Sequence, residues 1–166
     1  MKTLIVGLGN PILGDDGVGW KVAEEIEKQI PSPPTPLPSG EGSQVDVDCI
    51  SVGGIGLMEH LIGYDRAILI DAFISDEALG SISVLQLDQL PNYSAYHITS
   101  AHDTSLQNAL ELGRTMGVYL PEDVIVVGIS IRQIHDFGEE LSPPVTRAVS
   151  RATKIVLDLL KETAVV

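Results

Sequence analysis

Two near-continuous apolar runs, "AILI" at 67–70 and "VIVV" at 124–127, constrain this chain more than any other feature. Runs this short and this rich in Ile and Val are strands rather than helices. A strand that is apolar on every residue must be covered on both faces. Three further stretches, "TLIVGLG" at 3–9, "VDVDCISV" at 45–52 and "SISVLQL" at 81–87, are bounded by Gly, Pro or Asp in the same way. Helical patterns lie between most of them. The expectation is therefore an α/β fold: a single domain over residues 1–166, with a mixed, mostly parallel sheet of about five strands sandwiched between helices. The link from 74 to 81 is too short for a crossover helix, so the strands on either side of it are expected to be antiparallel neighbours.

Val18, Val22, Ile26 and Ile30 recur every fourth residue and predict a helix from Asp16 to Ile30, with Asp15 or Asp16 as its cap. "GLMEHLIG" predicts a short helix. Thr104 and Gln107 resemble a capping box for a helix running to Met116, which Gly117 stops. With Ser142 as its cap and prolines in its first turn, a long closing helix is predicted through "VTRAVSRATKIVLDLLKE". Between the first helix and the second strand, residues 31–44 read "PSPPTPLPSGEGSQ", a composition with almost nothing to bury, expected to be a solvated insertion.

Charge narrows the function classes. A net charge of -13 opposes binding to phosphate backbones, which depends on clustered Lys and Arg, so no nucleic-acid partner is expected. The N-terminal apolar stretch is too short for a signal peptide or a membrane span, which predicts a cytoplasmic protein with no membrane partner. Cys49 is the only cysteine, excludes an internal disulfide, and reads as a small buried hydrophobe.

The opening segment "IVGLGNPILGDDGVGW" starts like a dinucleotide loop, yet Ile12 stands where the third glycine belongs. Asp15 and Asp16 would also repel a phosphate at the helix start. The same carboxylates suit a cation. The segment from Gly9 to Asp16 follows the first strand, and Asp71 follows "RAILI". Both should therefore emerge at the carboxyl edge of the sheet, where open α/β folds place their sites. His102, just before a helix start, can join them. Asp16, Asp71 and His102 would give two carboxylates and an imidazole, with positions left open for a catalytic divalent metal. Each also has a plainer use: Asp16 as a helix cap, Asp71 as a turn former, His102 as a solvated or structural histidine. His60 reads as a helix-face residue, and His97 and His135 as loop residues. The Gly53-Gly54 pair suggests backbone lying close to a bound chain.

Four blocks, "GLGNPILGDDGVGWKVAEEI", "GGIGLMEHLIGYDRAILIDA", "SAHDTSLQNAL" and "GEELSPPVTRAV", resemble in that order the hydrogenase maturation endopeptidases. That resemblance covers nearly the whole chain apart from the Pro-rich insertion. It implies an aspartyl-type endopeptidase that trims the C-terminus of a nickel-iron hydrogenase large-subunit precursor. Asp16, Asp71 and His102 would be its metal ligands and catalytic residues, and Gly53 and Gly54 would lie at the substrate tail. The implied metal is nickel, brought by the precursor, with other divalent metals able to occupy the same site. Some members of the family carry Glu where this chain has Asp16, and many have an acidic residue and proline where it has Ser130 and Ile131. Two other readings stay open. One is a docking protein or metallochaperone that binds the nickel precursor without cutting it. The other is a peptidyl-tRNA hydrolase, which "VGLGNP" also resembles, although no histidine follows before His60.

Overall fold

The computed structural model describes residues 1–30, 44–93, 104–132 and 137–162. Five strands, β1 (Lys2–Leu8), β2 (Gln44–Ile50), β3 (Arg66–Ile74), β4 (Ile82–Gln86) and β5 (Asp123–Ile131), form one sheet in the order β2-β1-β3-β5-β4. β1 pairs in parallel with β2 and β3, and β3 in parallel with β5. β4 is antiparallel to β5. The sheet is therefore mixed and mostly parallel, as expected, with one correction. β3 and β4 do run in opposite directions, but they are not neighbours, because β5 lies between them. The short link fixed the direction of β4. It did not fix its partner, which a strand arriving 37 residues after β4 supplies.

Four helices cover the two faces: α1 (Val18–Gln29), α2 (Gly54–His60), α3 (Leu106–Thr115) and α4 (Pro143–Glu162). Alternation along β3 shows the layering. Ala67 and Leu69 join Leu57 and Leu61 from α2 and its end, and Leu106, Ala109 and Leu110 of α3, in one apolar cluster. Ile68, Ile70 and Ala72 join Val18, Val22 and Ile26 of α1, and Val145, Ala148, Ala152 and Val156 of α4, in the other. Burying each Leu or Ile contributes about 1.5–3 kcal/mol, and a strand with both faces so covered must be apolar throughout.

Chain direction explains which helix goes where. From β1 the chain moves outward through α1 to β2, then returns through α2 across β1 to β3. Right-handed crossovers in opposite directions put α1 and α2 on opposite faces. Direction thus reverses between β1 and β3, and this is the switch point at which a crevice opens beyond the carboxyl ends of the strands.

The helix starts differ from the sequence reading. α1 begins at Val18 with Gly17 as its N-cap, after a 3-10 turn over Gly14–Gly17, so neither Asp15 nor Asp16 caps it. α3 is capped by Ser105, whose hydroxyl accepts from Asn108 N. Gln107 instead donates to the carbonyls of Leu87 and Leu90, so there is no Thr104–Gln107 box. β2 begins at Gln44, and residues 31–43 of the proposed insertion lie outside the described residues.

Candidate active site at the carboxyl edge of the sheet

The first loop is shaped by where glycine is needed. A Cβ on Gly19 would fall inside contact distance of the carbonyl oxygens of Leu8 and Ile70. The first turn of α1 therefore sits directly on the ends of β1 and β3. Gly9 has φ +118°, and a side chain there would collide with the Asp16 carbonyl. The loop folds back at Gly9 so that Asn10 N donates to Asp16 Oδ2 at 2.7 Å. Asp16 is thus held in the 3-10 turn beside the switch point.

The adjacent aspartate does something else. Asp15 accepts from Ser142 N at 2.6 Å and from the Ser142 hydroxyl at 2.7 Å, across 127 residues of chain. Backbone bonds between Gly14 and Gly138 (2.6 Å) and between Gly138 and Ile12 (2.9 Å) lie alongside. Asp15 fastens the first loop to the start of α4, and the Ser142 hydroxyl, expected to cap that helix, donates to Asp15 instead. The sequence reading took either aspartate as a helix cap and Asp16 alone as a ligand candidate; the structure gives Asp15 the role of a clamp.

Asp71 lies one residue past the last β1 partner on β3, where Gly7 faces Ile70, while the ladder to β5 continues with Asp71 opposite Gly128. It is fully buried. Its Oδ1 accepts from Ala72 N at 2.9 Å and its Oδ2 from the Tyr93 hydroxyl at 2.8 Å. Burial and the Asp71 charge raise the Tyr93 pKa well above its ordinary value, so Tyr93 remains a donor. No pattern in the sequence pointed to Tyr93. Only a contact between residues 22 positions apart, across a loop, reveals it.

Other loops converge on the same edge. The Ser51 hydroxyl donates to Gly9 O at 2.7 Å, tying the segment after β2 to the first loop. Gly54 has φ +53°, and a Cβ there would lie 2.6 Å from the Thr104 carbonyl, so the Gly53-Gly54 turn is packed against the segment that leads into α3. His102 lies outside the described residues, as do His97 and His135. Among the described residues no three His, Cys, Asp or Glu side chains gather in a metal-binding group. The structure therefore brings Asp16 and Asp71 to one edge, and the Gly54 turn with them.

Two residues set aside by the sequence reading keep minor roles. His60 is exposed on α2, with Nδ1 3.4 Å from Asp48 Oδ2. Cys49 is half-buried rather than buried, and burial pushes its thiol up to about 11, the reverse of what a nucleophile needs. No helix among the described residues is long and apolar enough to cross a membrane.

Geometry alone thus defines an α/β protein of the doubly wound type with acidic side chains at its switch point. Comparison with known proteins makes the class specific. The family model described as hydrogenase maturation protease matches residues 44–159. A hydrogenase expression/formation protein of Azotobacter chroococcum is 30% identical over 162 residues, spanning 98% of this chain and 73% of that protein. The hydrogenase 2 maturation protease of Escherichia coli is 26% identical over 166 residues, 99% of this chain and 94% of its own length. The solved hydrogenase maturating endopeptidase from E. coli superposes with a TM-score of 0.71 at 24% identity, over 98% of this chain and 94% of that one, and so shares the fold. A hydrogenase 2 maturation peptidase from a Thaumarchaeota archaeon gives 0.61 at 26% identity, over 96% and 98%. The chain belongs to the hydrogenase maturation protease family.

Proposed function

We propose that this protein is the endopeptidase that removes the C-terminal extension of a nickel-iron hydrogenase large-subunit precursor once nickel has been inserted, in the cytoplasm. The observation that supports this most directly is the convergence of the Asp16 loop and Asp71 at the β1/β3 switch point, in a chain of this family. Carboxylate oxygens with an imidazole are a donor set that nickel accepts, so the residues present fit the metal. Asp16, Asp71 and His102 would hold the nickel that arrives with the precursor. There it would supply Lewis acidity toward the scissile carbonyl or the attacking water.

The chain's own groups do the rest. Asn10 N engages one oxygen of Asp16, while both oxygens of the buried Asp71 are engaged, by Ala72 N and the Tyr93 hydroxyl. Either carboxylate can accept the proton that the attacking water releases. Gly54 lets the Thr104 segment pack close beside the site, and Gly53 and Gly54 would lie along the backbone of the extension.

The test is the intact mass of nickel-loaded precursor before and after incubation with this protein or with its His102→Ala variant. Loss of one discrete C-terminal peptide with the wild type only is the expected result. An unchanged mass while the two proteins co-elute would overturn the reading in favour of a docking protein or metallochaperone.

A further inference from the structure

Tyr93 takes no part in the reading above except as a neighbour, yet its placement is specific. Its ring is 7% exposed and belongs to the apolar cluster under α2 and α3. It leans on Phe73 with centroids 6.1 Å apart and planes inclined by 48°. Its carbonyl accepts from Leu106 N, the first residue of α3, at 2.9 Å. Ring and backbone are therefore both fixed by rigid elements, and the one polar atom of the side chain points at Asp71 Oδ2, 2.8 Å away. Ala72 N holds the other oxygen at 2.9 Å. These two donors, one on β3 and one beyond β4, set the plane of the carboxylate.

We infer that Tyr93 is the positioning residue of the site, aiming the Asp71 carboxylate at the crevice from the core side. The hydroxyl is engaged on the acid at the switch point, where a ligand's orientation matters more than its stability. The inference rests on the proposed role of Asp71 and names a residue that acts through it.

Tyr93→Phe tests it, because the ring that packs on Phe73 is kept and only the hydroxyl is lost. With Asp71→Asn as reference, cleavage of the nickel-loaded precursor is followed as separate kcat and KM, and the free full-length proteins are titrated calorimetrically with Ni2+ alone. Loss of an outer hydrogen bond to a metal ligand lowers affinity or turnover by about 10–100-fold. The expected result for Tyr93→Phe is a fall of that size in kcat with KM unchanged, and a matching loss of Ni2+ affinity where the wild type binds the free ion. A lower melting temperature with wild-type kcat would mean that the hydroxyl only stabilises the fold, and would overturn the inference while leaving the site intact. Wild-type kcat in Asp71→Asn would instead overturn the site assignment, and Tyr93 with it. The kcat comparison decides by itself if the free protein takes up no Ni2+.

Discussion

At the amino end of the sheet, Arg66 meets Asp123 at 2.7 Å and donates to Leu159 O at 3.0 Å, while Lys2 lies 3.5 Å from Asp46 and 4.2 Å from the centre of the Tyr64 ring. At the carboxyl end, the bonds described to Asp15, Asp16 and Asp71 come from neutral donors: Ser142, Asn10 N, Ala72 N and Tyr93. Both ends carry carboxylates, and at the amino end Asp46 and Asp123 are matched with cations from the same chain. A carboxylate held by neutral donors is oriented without being neutralised by them. The amino end ties its strands together with ion pairs, whereas the bonds described at the carboxyl end orient acids.

Substitutions at the two ends should therefore separate activity from stability. The largest effect is expected from Asp71→Asn. Removing a positioned acid or base costs about 10²–10⁴-fold in rate, whereas each weakened hydrogen bond costs the fold about 1 kcal/mol. Precursor cleavage and thermal melting measured on the same preparation would show it, and parallel losses in both would erase the distinction between the ends. Gly19→Ala comes next and should affect both quantities. The added methyl meets the Leu8 and Ile70 carbonyls, overpacking of this kind costs about 1–3 kcal/mol, and α1 with the Asp16 turn must shift away from the switch point. Cleavage and melting temperature should fall together.

At the amino end, Asp123→Ala leaves the buried Arg66 guanidinium short of its carboxylate. That should cost about 1–3 kcal/mol, discounted because Asp123 is itself partly exposed, and cleavage should be untouched. In a chain of this size each kcal/mol moves the melting temperature by about 2–4 °C. Lys2→Ala is the smallest case. An exposed pair at 3.5 Å is worth about 0–1 kcal/mol and is screened by salt, so its effect should vanish in high-salt melts.

What the sequence made legible follows from periodicity. The runs at 67–70 and 124–127 gave β3 and β5, two of the three inner strands, and the four-residue repeat from Val18 to Ile26 gave the buried stripe of α1. Asp71 was legible because the end of an apolar run places the next residue at a sheet edge. Three things were not. The partner of β4 depends on a strand still to come, the cap of α3 is decided between adjacent hydroxyls, and the separate roles of Asp15 and Asp16 depend on Ser142. Hydrogen bonds between residues 22 or 127 positions apart leave no periodic trace, which is why Tyr93 and the Asp15 clamp appear only in three dimensions.

The position of β5 between β3 and β4 also sets the order in which the molecule can be assembled during synthesis. A nascent chain cut between Gln86 and Asp123 has already delivered β3 and β4 but not the strand that joins them. It would expose an apolar β3 edge on one side and an unpaired β4 on the other, the kind of surface that captures other chains. The first loop likewise stays unfastened until Ser142 has left the ribosome and bonded Asp15. A protease whose acidic loop locks only when the final helix arrives would be assembled last where it is reactive, so truncated copies would be prone to aggregate rather than to cut.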